Sequence, residues 1–365
     1  MTSLSLIYTY SLMASSAFWG VLVIKFWATH EKLPGRNWIL IALLLWPFLI
    51  LDEWLKYTES FGMAWALGAS DFVAPVLLAC CYRATKLLVV DKPTYRRRLW
   101  APVLAIALLQ STLVFIPVAL RQTWFDGSPT GAPLTWWPVY SVNLLAGFSV
   151  LLYSILIAEL IQHYHRYLAE QVVDTAQYRI RRMAGVAGTT VGMSFVSILL
   201  VTAAAFGFFP VAFWQSLLHM LMALVTLLLL AGLTTPRKTS PSPLDYERLE
   251  ACSAQQQEMR ETLQRAEQVI IDKKLYKKLG LTLKQFCVYA ETDPTLLAIS
   301  LRLLRQKTFR VWVFSYRLEY AKNILLRTDT SISAVSKRLG IPSGTVLSDA
   351  LVKYAKDNQT GTKTA

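Results

Sequence analysis

Charge is scarce in this chain, and acidic charge scarcest. Only 16% of its 365 residues are charged, against about 25% in a soluble globular protein, which excludes a soluble fold along the whole length. The shortage is uneven. Apolar blocks follow one another from Leu4 to Leu233, and from Thr234 the chain turns polar, charged and Gln-rich, so the length divides into two kinds of unit. The four cysteines, Cys80, Cys81, Cys252 and Cys287, form no CxxC or Cys/His spacing, which excludes a disulfide framework and a zinc site. HExxH, GxSxG, Walker A and GxGxxG signatures are missing at any meaningful place, so neither an enzyme nor a bound cofactor is expected. The seventh apolar block lacks a Lys for a retinal Schiff base, and Pro75, Pro102, Pro117 and Pro138 follow no repeat of the kind transporters show.

What is present is apolar length. A spanning helix takes about 20 apolar residues, and the blocks that qualify are Leu4–Ala28, Trp38–Lys56, Met63–Val90, Leu99–Leu120, Trp136–Ile161, Gly185–Phe209 and Ala212–Leu233. The last two make a hairpin around Phe209 and Pro210. The first block is too long for a signal peptide and has no Lys or Arg before it. Basic residues alternate between loops. Lys25, Lys32 and Arg36 follow block one; Arg83, Lys86, Lys92, Arg96, Arg97 and Arg98 block three; Arg166, Arg179, Arg181 and Arg182 block five; Arg237 and Lys238 block seven. The intervening loops carry little beyond Lys56 and Arg121, set beside Asp52, Glu53, Glu59 and Asp126. By the positive-inside rule the N-terminus is outside and the polar tail in the cytoplasm, with Trp54, Trp65, Trp136, Trp137 and Trp214 in the outer aromatic belt. Arg96–Arg98 reads as an anchor on anionic membrane lipid.

The net charge of +14 calls for an anionic partner, lipid headgroups or nucleic acid. After the breaker-rich linker TTPRKTSPSP, a helix is expected over Leu244–Ile271, with a seam of Leu249, Cys252, Met259, Leu263, Ala266 and Ile270. That spacing fits either a parallel homodimer stalk or a solitary linker helix. Then LTLKQFCVYAETDPTLLAISLRLL (281–304) reads as helix, turn, helix. SISAVSKRLGIPSGTVLSDALVKY (331–354) repeats the plan, and the amphipathic FRVWVFSYRLEYAKNILLR (309–327) joins them. Two such units on one rigid helix can present two recognition helices to successive major grooves.

Over Lys274–Lys356 these residues resemble the DNA-binding domain of AraC-type transcriptional regulators: the LTLxxF opening, Pro294, Phe309, RLEYAKNILL and SISAVSKRLGI. KKLYKKLGLTL is similar to the corresponding stretch in membrane-anchored members. The departures are Ile299 and Asp349, where the family often has basic residues, and Glu291, where it has Gly. The seven apolar blocks and the resemblance together lead to the expectation of an all-α chain: a seven-helix transmembrane bundle followed by a cytoplasmic double helix-turn-helix domain. The expected map is a membrane sensor over 1–233, linker and stalk over 234–272, the DNA-binding domain over 273–358 and a flexible tail over 359–365.

Phosphate-binding candidates are Arg302, Arg305, Lys307, Arg310, Lys337, Arg338, Lys353 and Lys356. Thr295 opens the first recognition helix, and Ser343, Thr345 and Ser348 are placed to reach base edges from the second. Leu296 and Ile299 bring apolar side chains to the expected groove-facing positions of the first. In the membrane part, Asp71 falls about 12 Å into block three at the helical rise, level with Asn143 and His219. Together they read either as a sensor pocket or as separate polar contacts between helices. Asp52 and Glu53 are adjacent, so they point apart and read as an exposed outer-rim pair. Two functions follow: a membrane-bound one-component regulator of transcription, or a signalling receptor whose degenerate tail docks a protein through Leu296 and Ile299.

Overall fold

The computed structural model describes residues 3–28, 35–91, 93, 97–123, 133–208, 212–235, 239–252 and 254–361. Among the described residues every regular element is helical, and the one β-pairing is an isolated antiparallel bridge between Val172 and Thr282. In chain order the α-helices are α1 Ser3–Ala28, α2 Arg36–Leu49, α3 Leu51–Tyr57, α4 Val73–Val89, α5 Ala101–Ser111, α6 Val118–Gln122, α7 Pro133–Arg166, α8 Leu168–Gln171, α9 Arg181–Ala205, α10 Ala212–Thr234, α11 Tyr246–Ala251, α12 Gln256–Asp272, α13 Leu283–Ala290, α14 Pro294–Leu304, α15 Phe309–Arg327, α16 Ile332–Leu339 and α17 Gly344–Gly361. They form two compact units. One comprises residues 1–163 and 180–237, the other 164–179 and 238–365.

Among the described residues four helices are long and apolar enough to cross a membrane: Tyr8–Ala28, Arg36–Tyr57, Trp136–Arg166 and Arg181–Ala205. Block two bends at Ile50, just after Pro47. Blocks three and four are not the continuous helices expected. Block three begins as a 3-10 turn, Phe61–Ala66, passes through Gly68 at φ 74°, and becomes α-helical only at Val73. In block four, α5 ends in a 3-10 turn and Ile116 is extended at ψ 124°, because the ring of Pro117 disfavours a helical residue before it. Trp46 is fully buried among these helices; its indole donates to the Ala223 carbonyl at 3.1 Å and stacks on Trp19. The expected loop residues Lys32, Lys92, Arg96, Asp126, Arg237 and Lys238, the Phe209–Pro210 turn and the side chain of Trp214 lie outside the described residues.

The second unit is assembled from local signals. Asp245, Thr282, Asp293, Thr308 and Ser331 each accept the N–H three residues ahead, which satisfies a helix-start donor that has no partner within the helix. Gly340 holds φ 68° in the turn between α16 and α17, and a Cβ there would stand 2.6 Å from Leu279. Phe286, Phe309 and Trp312 form one aromatic cluster, while Leu318, Ala321, Val335, Leu339, Ile341 and Leu347 make the core beneath α16 and α17. Arg317 links the two. From the buried middle of α15 it donates to the carbonyls of Tyr276, Lys278 and Leu339 at 2.8, 2.9 and 3.2 Å, and burial lowers its pKa.

The expected stalk is corrected in two respects. The helix breaks at Cys252, which ends α11 at φ 47°, and α12 begins afresh at Gln256. Its seam is covered by this chain: Leu249, Met259, Leu263, Ala266 and Ile270 are buried, with α11 and α12 packed on α14 and α12 also on α13. The boundaries move as well. Residues 238–272 and the segment 164–179 belong to the same unit as 273–358, and α17 runs on through Gly361, into the stretch expected as a flexible tail; residues 362–365 lie outside the described residues.

Candidate functional site

In the first unit the break at Ile50 turns α3 so that its charged residues face inward. Glu53 is completely buried. Its carboxylate accepts from the Tyr8 hydroxyl, lies 3.3 Å from Nδ1 of His219 and 3.8 Å from Nζ of Lys56. Asp52 accepts from the Gly68 N–H at 3.0 Å and from Ser70 Oγ at 3.3 Å. Gln110 secures the same stretch, accepting from the Phe72 N–H at 3.0 Å and donating to the Gly68 carbonyl at 2.9 Å. The expected exposed rim pair is therefore a buried junction of α1, α3 and α10. Asp71 joins it electrostatically, within reach of Asp52, Lys56 and His219. It sits in the turn before α4, so the depth reckoned along a helix from Met63 does not apply. Among the described residues, no hydrogen bond or ion pair connects Asn143 to Asp71 or His219.

In the second unit the two helix pairs present opposite surfaces. Seven consecutive residues of α14, Thr295 to Leu301, are buried. A stretch of about two turns buried at every position has no face left for a groove. Thr295 is thus corrected from a DNA-facing residue to an interior one, and Leu296 and Ile299 are apolar because they meet protein. The basic residues around α14 make contacts within the chain, with Arg302, Arg305 and Arg310 still exposed. Arg305 directs Nε and Nη2 at Glu267 Oε1, at 2.9 and 2.6 Å, and Arg248 reaches Asp293 at 3.0 Å. Arg302 lies over the Tyr167 ring, and Arg310 donates to Thr175 Oγ1 at 3.3 Å.

Two of these contacts come from the segment 164–179, which carries α8. Tyr167 stacks on Tyr246, with ring centres 5.4 Å apart, and donates to Glu250 at 2.9 Å. Gln171 donates to the Tyr246 hydroxyl at 2.9 Å, and the Val173 N–H donates to the Leu281 carbonyl at 3.3 Å beside the Val172–Thr282 bridge. Glu170 is near the backbone N–H of Phe309 at the start of α15. Burial pushes its carboxyl up to about 7, although that N–H and Arg302 favour the ionised form. Among the described residues its Oε2 has no hydrogen-bond partner.

The second pair is open. Lys337 and Arg338 at the end of α16, and Thr345, Asp349 and Lys353 on α17, are exposed, while Ser348 is half-buried. Ser343 is half-buried too and is occupied as the cap of α17, accepting from Val346 N–H at 3.3 Å. Lys307 is exposed beyond the end of α14, and the side chain of Lys356 lies outside the described residues.

No family model, curated protein or solved structure matches the chain. Sequence reasoning missed two groups of residues. The first is Tyr8, Asp52, Glu53 and Lys56, whose signal is three charged residues within five positions of an apolar block. The second is 167–178, YLAEQVVDTAQY, too apolar at Leu168, Val172 and Val173 for a loop exposed to water.

Proposed function

We propose that the chain is a membrane-bound one-component regulator of transcription: seven spans with the N-terminus outside, and a cytoplasmic unit that binds DNA through its second helix-turn-helix. The observation that carries this reading is the contrast between α14, buried along Thr295–Leu301, and α17, which exposes Thr345 and Lys353 next to Lys337 and Arg338. Small hydroxyl side chains on a helix flanked by basic residues suit base edges and phosphates respectively. The AraC-type resemblance spans both halves of the domain and includes SISAVSKRLGI in this one.

The polar junction at Glu53 supports a sensing role for the membrane unit. Ionisable residues within a membrane are costly to keep and mark functional positions. Tyr8, Glu53 and His219 come from α1, α3 and α10, so a stimulus that changes their pairing moves these helices relative to one another. The signalling-receptor alternative loses its docking surface, because Leu296 and Ile299 are buried.

The test is selection of bound duplexes from a random library by the full chain in lipid nanodiscs. An enriched motif that Thr345→Ala alters and Lys353→Glu weakens across all sequences supports the reading. Absence of duplex binding even at low salt removes it.

A further inference from the structure

The segment Tyr164–Arg179 connects α7 to α9, two of the helices long enough to cross a membrane, yet it folds as part of the second unit. It holds three parts of that unit. Tyr167 lies against Arg302 of α14 and Tyr246 of α11. Glu170 is near the first N–H of α15, and Arg310 of the same helix reaches Thr175. Val172 and Val173 pair with Thr282 and Leu281 just before α13. A loop merely passing over the surface would not supply a ring stack, a side-chain hydrogen bond to Arg310 and backbone pairing to three elements.

The body of α14 is packed chiefly by α12 and α11, and this segment reaches it at Arg302. The buried stretch of α14 contains Thr295, Ser300 and otherwise apolar residues, with no basic side chain from Pro294 to Leu301. Freed from its partners, this helix would offer Leu296 and Ile299 to phosphates. From the same site α15 runs for 19 residues, about 28 Å at the helical rise, and Arg317 fastens it to the end of α16.

We infer that the first helix pair is a permanent socket for the α7–α9 segment and that it does not leave this segment to read DNA. Its exclusion from DNA rests on the DNA reading proposed above; the socket does not.

The test is a Val172→Cys/Thr282→Cys double variant of the full chain in native membranes, with each single variant as a control for the native cysteines. Facing residues of an antiparallel bridge have Cα atoms about 4.5–5.5 Å apart, within disulfide range. The expected result is a cross-link that forms on oxidation to the same extent with and without duplex DNA, in protein that keeps its DNA affinity within about twofold. A missing cross-link overturns the socket. So does one suppressed by DNA, or one that lowers DNA affinity more than about tenfold until it is reduced. Protein that cross-links fully and binds no duplex in either form leaves the socket standing and removes the DNA reading. Should the double variant not fold, hydrogen exchange of residues 294–301 in the unsubstituted chain decides the matter: slow exchange unaffected by DNA is expected, and fast exchange, or exchange that DNA accelerates, overturns the proposal.

Discussion

The guanidinium of Arg302 lies 5.6 Å from the centre of the Tyr167 ring, which sets a residue expected to hold phosphate against one expected in a loop between spans. Arg302 remains exposed, and a cation over an aromatic face at such a site contributes about 0.5–1 kcal/mol. With α14 buried along Thr295–Leu301, the first helix pair is committed to protein contacts, and several outcomes follow.

Leu296→Ala and Ile299→Ala each cost the second unit about 2–5 kcal/mol, the usual range for emptying a buried aliphatic position. Arg305→Ala costs about 0–1 kcal/mol, since its pair with Glu267 is half exposed. None of the three changes DNA affinity per folded molecule. Thermal unfolding beside DNA titration checks this, and selective loss of binding in a stable Ile299→Ala protein would return α14 to the groove.

Glu170 gives the unit a pH dependence of definite sign. Its carboxyl titrates at about 7 when folded, against 4.5 as the ordinary value. Between those values the folded state binds more protons than the unfolded one, so stability falls as pH rises through the window and levels off above it. The whole effect is on the order of 3 kcal/mol. Glu170→Gln should match the unsubstituted protein at pH 4 and exceed it at pH 8, measured by denaturant unfolding. Parallel pH profiles for the two proteins would mean that Glu170 stays ionised.

Local features of this architecture are legible in the sequence. The turn at Gly340 appears where the pattern places it, and the caps Thr282, Asp293, Thr308 and Ser331, each one residue before its helix, are of types that suit a helix start. The seam Met259, Leu263, Ala266 and Ile270 is legible as a buried stripe, but a three-and-four spacing does not say whose surface covers it; here it is α13 and α14. Glu53 is misread because its inward turn depends on the break at Ile50. The place of 164–179 is not legible at all, since its partners Tyr246, Thr282 and Phe309 lie more than 70 residues further along the chain.

Glu291 closes α13 in the left-handed region at φ 50°, where a side chain is strained and Gly is not. Glu291→Gly should raise the stability of the second unit by about 0.5–1 kcal/mol without changing its DNA affinity. A loss of stability in urea unfolding would mean that the side chain outweighs the backbone strain.

Glu53→Ala leaves His219, Lys56 and the Tyr8 hydroxyl without their shared acceptor. Removing one partner of a buried charged network costs about 3–5 kcal/mol, so thermal stability in detergent should drop sharply, while Asn143→Ala changes it little. His219→Ala and Asp71→Asn should insert normally and alter transcriptional output in a reporter strain. Unchanged output from both would confine the junction to a structural part.

Hydroxyl-radical footprinting of the full chain in nanodiscs on its selected duplex tests the central claim most directly. If only the second helix pair meets DNA, each protomer protects the backbone flanking a single major groove, and Lys353→Glu lowers the steepness of the salt dependence by about one phosphate contact. Protection of two successive major grooves by one protomer, about 10 base pairs apart, would show α14 in the groove and contradict the account.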